Sequence, residues 1–223
     1  MLDTGFINKT FKKVIPLFIN EFVYSFALIL IFQIYSQSGD KAVAAVNIAD
    51  TVSQVVFIFA NGLGTATSIF VGHLLGQNEL EGAGKNADYL IGYSFFTSLI
   101  IFVFMILSGF IIPGVYNIGA DTRQLTMYIL IIQAFFAPML IVSRTLFFII
   151  RSGGKVKEVL IVDGLFMWVV KVPVALLFHY VFKANIVFII LAVEFTRVIN
   201  ALLSIMIYRQ KKWQVNLTVS GEE

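Results

Sequence analysis

The chain has no cysteine at all. That excludes disulfides, thiolate metal sites and thiol catalysis. It has only two histidines, His73 and His179, far apart in the sequence, which argues against a zinc site. Charge is also scarce: Asp, Glu, Lys and Arg make up 13% of the residues, about half the share in a soluble globular domain. No GxxxxGK[ST] phosphate loop occurs. Gly153-Gly154-Lys155 lacks the first glycine at that spacing and the following Ser or Thr, so ATP is not the expected drive. No nucleophile and base are brought together by spacing, so the chain does not read as an enzyme. The net charge of +3 is placed in loops beside apolar runs, which fits a topology signal better than nucleic-acid binding.

What the chain does have is apolar length. Hydrophobic residues make up 59% of it and the mean hydropathy is +0.90. Too little polar surface is left to cover a soluble core of this size. The expected fold class is an all-α membrane protein with six transmembrane helices. The spans are expected over Val14–Tyr35, Ala42–Leu74, Asn86–Ile112, Gln124–Ile150, Glu158–Phe182 and Asn185–Tyr208. They give three regions: an N-terminal cytoplasmic segment 1–13, a helical lobe 14–208 and a cytoplasmic tail 209–223. Turn chemistry separates the spans at Ser38-Gly39-Asp40, Gly76-Gln77-Asn78, Pro113-Gly114 and Ser152-Gly153-Gly154. Short connections imply antiparallel neighbours. The opening polar stretch does not read as a cleaved signal, because the apolar run after it is too long.

Six spans put both termini on one side. Lys9, Lys12, Lys13, Lys85, Arg151, Lys155, Lys157, Arg209, Lys211 and Lys212 fall on that side, against Lys41, Arg123 and Lys183 on the other. This bias predicts cytoplasmic termini. Arg144, Lys171 and Arg197 lie within spans. Arg144, near a helix end, is expected to snorkel to the headgroups.

Charges inside spans cost several kcal/mol and therefore face a bundle interior or a wet cavity. Glu21, beside Asn20 in the first span, and Asp163 in the fifth lie at similar depth from the terminal side, on the order of 10 Å. Two carboxylates at one level can share a proton or hold a sodium ion. The alternative is that each merely accepts a hydrogen bond from a neighbouring helix. In the second span Asn47, Asp50, Gln54, Asn61, Thr65 and Ser68 fall within about 60° of one another. This stripe reads equally as a cavity wall or as interhelical bonding. Gly62, Gly64, Ala66 and Gly72 add small surfaces for close helix contact. Lys171 and Glu194 are expected at one depth, where they neutralise each other, with Arg197 a competing partner for Glu194. This cluster reads as structural. Pro138 at mid-span and Pro16 and Pro173 near or in other spans permit kinks.

Several stretches together resemble one family. They are IPLFINEFVYSF around Glu21, AVAAVNIADTV, GLGTATSIFVGHLLGQNELEGAGKNA, IIRSGGKVK followed by VDGLFMWVVKVPVALLF, and the ending YRQKKWQVNLT. Their order and spacing resemble the second half of the multidrug and toxic compound extrusion (MATE) transporters, over Phe11 to Thr218. The resemblance implies one six-helix lobe, the C-terminal one, of a twelve-helix transporter with a V-shaped central cavity. It implies export of cationic or amphipathic drugs in exchange for H+ or Na+, with no other cofactor, from a bacterial plasma membrane. It implies that Glu21 corresponds to the family's acid on the first helix of this lobe and that the fifth helix carries Asp163; in some members acids on these two helices form the cation site. The partners it implies are the bilayer, small-molecule substrates and a second six-helix lobe or a second copy. The chain also departs from the family. Lys155-Val156 stands where Asp-Thr is usual, Lys171 where a small or apolar residue is usual, and Glu194-Phe195 where many members have paired acids. A flippase of lipid-linked saccharides in the same superfamily, or a non-transporting remnant, are the alternative readings.

Overall fold

The structure is a computed structural model and describes residues 4–216. The remainder of the segments 1–13 and 209–223 lies outside the described residues. Six long helices follow one another: α1 (Thr4–Ser36), α2 (Asp40–Gly76), α3 (Leu80–Val115), α4 (Ala120–Ser152), α5 (residues 156–181) and α6 (Ile186–Arg209). All six are long and apolar enough to cross a membrane. The chain is thus a multi-pass membrane protein. The ends of α1 and α6 that carry the termini define one face of the bundle, the terminal face; the opposite end is the far face.

Several helices outrun their hydrophobic stretches. α1 is helical from Thr4, through the polar segment expected to precede the span, while its apolar part begins at Phe18. Polar residues do not stop a helix; breakers do. α3 starts at Leu80, and Pro113 sits inside its last turn, which runs on to Val115. Pro138 lies within α4 without ending it. At the turn after α2, Asn78 takes a φ of +63°, and Gly39 before α2 takes +98°. The second of these is a conformation that glycine adopts without a Cβ penalty.

α5 is not a uniform α-helix. Ile161–Leu165, Met167–Lys171 and Leu177–Val181 are π-helical turns, with Val156–Leu160 and Val172–Leu176 α-helical between and before them. Such turns are rare and gather at functional sites. Both intramembrane charges of this helix, Asp163 and Lys171, lie in them.

α4 is the central helix, packed by α2, α3 and α6, while α1 leans on α2 and α5. The main core is rich in small residues: Ala27, Ala42, Ala45, Ala49, Ala60, Ala134, Ala137 and Ala175 are all buried in it. Small side chains let helix backbones approach, which is the main source of packing energy in lipid. Of the small residues of α2, Gly64 is the one that needs its hydrogen. A Cβ there would overlap the ring of Phe148, whereas Gly62 has open space around it. Large apolar side chains such as Phe18, Phe22, Ile58, Phe96 and Phe110 point outward, as expected where the solvent is hydrocarbon.

After α6 the chain turns back under the terminal face. Trp213 is 2% exposed and stacks on Tyr208 with ring centroids 5.4 Å apart. Its indole N–H donates to the Tyr208 carbonyl at 3.1 Å. Its backbone lies against Gly153, where a Cβ would collide with it. Gln214 and Asn216 donate to the carbonyls of Leu80 and Gly76, each at 3.4 Å.

Candidate functional site

A cavity of about 540 Å³ opens in the middle of the lobe, between α1, α2, α4, α5 and α6. Its apolar walls are broken by six charged side chains: Asp50, Arg144, Asp163, Lys171, Glu194 and Arg197. Three are acidic and three basic, and they form two groups.

The group nearer the terminal face is built around Asp163. Asn20 of α1 donates from Nδ2 to Asp163 Oδ2 at 2.9 Å. The same amide accepts through Oδ1 from the backbone N–H of Gly164 at 3.0 Å. Gly164 makes room for this: a Cβ there would sit 2.5 Å from Asn20 Oδ1. The other carboxylate oxygen faces Arg144 of α4, whose guanidinium lies 3.4 Å from Oδ1. Both side chains of that pair are about nine-tenths buried. The guanidinium carbon also lies 5.3 Å from the ring centre of Tyr24, 5.0 Å from Phe57 and 5.4 Å from Phe147. Three π faces around a desolvated cation add to the pairing. Arg144 therefore does not reach the headgroups, contrary to the expectation from sequence. It lies eight residues from the end of α4 at Ser152, about 12 Å by helical rise, with a carboxylate and an aromatic cage closer at hand.

The second group lies nearer the far face. Glu194 and Arg197, three apart on α6, form an ion pair, and Arg197 Nη2 donates to Glu194 Oε1 at 3.0 Å. The expected pairing of Lys171 with Glu194 is not made: among the described residues Lys171 forms no ion pair or hydrogen bond. The two are at similar depth, and Lys171 senses the charges of Glu194, Arg197 and Asp50. Arg197 prevails as the partner because it is carried on the same helix at a facing spacing. Asp50 accepts from Gln133 Nε2 at 3.4 Å, and Gln133 Oε1 in turn accepts from Ser53 at 2.8 Å.

The remaining residues singled out from sequence are placed as follows. Asp50 and Gln54 line the cavity. Asn20 is buried behind its wall. Asn47 is exposed and Asn61 half-buried, both away from the cavity lining. Glu21, one residue past Asn20, is exposed, and its charge acts on Arg144 through space without contact. The structure brings Asn20, not Glu21, against Asp163. Sequence reasoning missed Gln133, Tyr24 and Asn200; the last donates to the Val162 carbonyl at 2.5 Å, one residue before Asp163. A polar side chain inside an apolar helix was the available signal for each.

Known proteins share this fold. The MatE family model matches residues 16–177. The chain is similar to "Probable multidrug resistance protein YoeA" of Bacillus subtilis (strain 168), with 29% identity over 181 residues, 74% of this chain and 36% of that protein. It is also similar to "Multidrug resistance protein NorM" of Vibrio vulnificus (strain YJ016), with 41% identity over 66 residues, 28% of this chain and 14% of that one. Among solved structures, an outward-facing multidrug resistance MATE family transporter of the MOP superfamily superposes with a TM-score of 0.82 at 18% identity. The match covers 94% of this chain and 46% of that one. A MOP superfamily transporter from Pyrococcus furiosus, described as having a binding pocket of reverse polarity, matches to the same extent. The fold thus defines a class, a six-helix multi-pass membrane bundle. The chain belongs to the MatE family. It spans about half the length of these solved structures and about a third of the YoeA protein.

Proposed function

We propose that the chain acts as the C-terminal lobe of a MATE-type efflux transporter, exchanging cationic or amphipathic drugs for H+ or Na+ across a bacterial plasma membrane. The observation that carries this is Asp163. It is a buried carboxylate in a central cavity of a MatE lobe, held by Asn20 and clamped by Arg144. A carboxylate so placed responds to an arriving cation, because a proton or Na+ competes with the guanidinium for the same oxygens. In this reading Asp163 is the coupling acid and Asn20 and Arg144 position it. Glu21 adds a second, exposed carboxylate on α1, within electrostatic reach of Arg144.

A second lobe, on a separate chain or as a second copy, belongs to the proposal. Glu21, Asn47, Thr51, Gln54 and Thr65 are exposed along α1 and α2 within the membrane-spanning stretches. Polar side chains at such positions are stable against another protein surface or a water-filled cleft, not against lipid tails. Alternating access also works by one repeat moving against another. With termini on the cytoplasmic face, as the Lys and Arg distribution supports, Asp163 lies on the cytoplasmic half of the lobe. The cavity charges balance, so nothing here favours the strongly cationic cavity expected of a saccharide-lipid flippase.

The test is export of a fluorescent lipophilic cation from loaded cells of an efflux-deficient host. The full chain is produced with and without a six-helix partner lobe, under imposed H+ or Na+ gradients. Gradient-dependent export that disappears in Asp163→Asn is expected, and Glu21→Gln reports whether the second carboxylate takes part. Gradient-driven export that is unchanged in Asp163→Asn removes Asp163 from coupling.

A further inference from the structure

The charges around the cavity do not all find partners. Asp163 has Arg144 and Glu194 has Arg197. Asp50, exposed towards the cavity, has one long amide contact, to Gln133 at 3.4 Å, and no ion pair among the described residues. Lys171 has neither an ion pair nor a hydrogen bond among the described residues. Both side chains line the same cavity of about 540 Å³. Both also lie about ten residues from the far ends of their helices, roughly 15 Å in. Each lies within the electrostatic reach of the other.

A charge without a direct ion-pair contact at this depth is costly. A bound cation alone would satisfy Asp50 and leave Lys171. A bound anion alone would do the reverse. One molecule bearing both charges satisfies both at once, and the volume is that of a small-molecule pocket. We propose that the lobe binds a small amphipathic zwitterion in this cavity, with its ammonium group at Asp50, its carboxylate or phosphate at Lys171 and its apolar part along the lining that includes Phe32, Val56 and Leu140. The ligand has two chemical sources, a free amino-acid-like compound or a lipid headgroup. The inference goes beyond the export reading: binding is measured without transport, so a failed export assay leaves it standing.

The test uses the purified full chain in maltoside micelles, with calorimetric titration of four probes sharing an octyl-length chain. Two are zwitterions, 2-aminooctanoate and octylphosphocholine. Two carry one charge, octylamine and octanoate. At least one zwitterion is expected to bind about tenfold more tightly than either singly charged probe. A preference led by 2-aminooctanoate assigns the site to a free compound, and one led by octylphosphocholine to a lipid headgroup. Asp50→Asn and Lys171→Met should each erase the preference, with folding checked by size exclusion and helical circular dichroism. The proposal is overturned if octylamine or octanoate binds the unaltered chain as tightly as the zwitterions, or if no probe binds. It is equally overturned if folded variants keep the preference. The comparison among probes is made on the unaltered chain, so it stands even if a variant does not fold.

Discussion

The two ends of the cavity hold similar charges in dissimilar ways. Near the terminal face, Asp163 of α5 is bonded to Asn20 of α1 and Arg144 of α4, so three helices meet at one carboxylate. Near the far face, the Glu194–Arg197 pair is contained within α6, and Lys171 makes no ion pair among the described residues. A pair between helices fixes how they pack. A pair within one helix neutralises charge and fixes nothing between helices. The first arrangement is therefore a structural tie as well as a candidate ion site, and the second leaves charge available to something else.

This contrast can be broken most severely at Asp163. Asp163→Asn should lower the unfolding free energy of the purified chain by about 3–5 kcal/mol, because it strands a buried guanidinium. Denaturant titration followed by helical circular dichroism reads the change. A loss no larger than that at Glu194 would mean that the tie between helices adds nothing. Glu194→Gln should cost less, about 1–3 kcal/mol, since Arg197 is partly exposed and keeps an amide acceptor. The smallest effect belongs to Lys171→Met, which removes a charge that forms no ion pair among the described residues. Stability should stay within about 1 kcal/mol of the unaltered chain or rise. A drop matching that of Glu194→Gln would show that Lys171 is paired after all.

Much of the architecture was legible in the sequence because lipid imposes a simple rule: long apolar runs become helices. All six spans are where hydropathy places them. Their ends are not, because hydropathy locates the membrane and not the last helical hydrogen bond, as Thr4–Lys13 and Leu80–Lys85 illustrate. Depth along a helix was legible too. Asp163 was expected level with the polar pair of the first span, and Lys171 level with Glu194. Rotation about the helix axis was not. Asn20 and Glu21 are at one depth but about 100° apart around α1, and only the packing of α1 on α5 decides that Asn20 turns inward. Arg144 was misplaced for a related reason. Its partner lies on another helix, and of its aromatic cage only Phe147 is on α4, three residues on; Tyr24 of α1 and Phe57 of α2 are not revealed by spacing within α4. The π-helical turns of α5 carry no composition signal of their own.

The burial of Trp213 has a consequence for how the lobe is made. The residues around it reach the connections that follow α2 and α4, through the carbonyls of Gly76 and Leu80 and the bare backbone of Gly153. All of those connections are synthesised well before Trp213, and a growing chain folds from its N-terminal parts first. The helical hairpins must therefore wait, inserted but unfastened at the terminal face, until the ribosome has passed the sixth span. The last fastening of this six-helix bundle is then a step of biosynthesis, made by residues that follow its sixth helix.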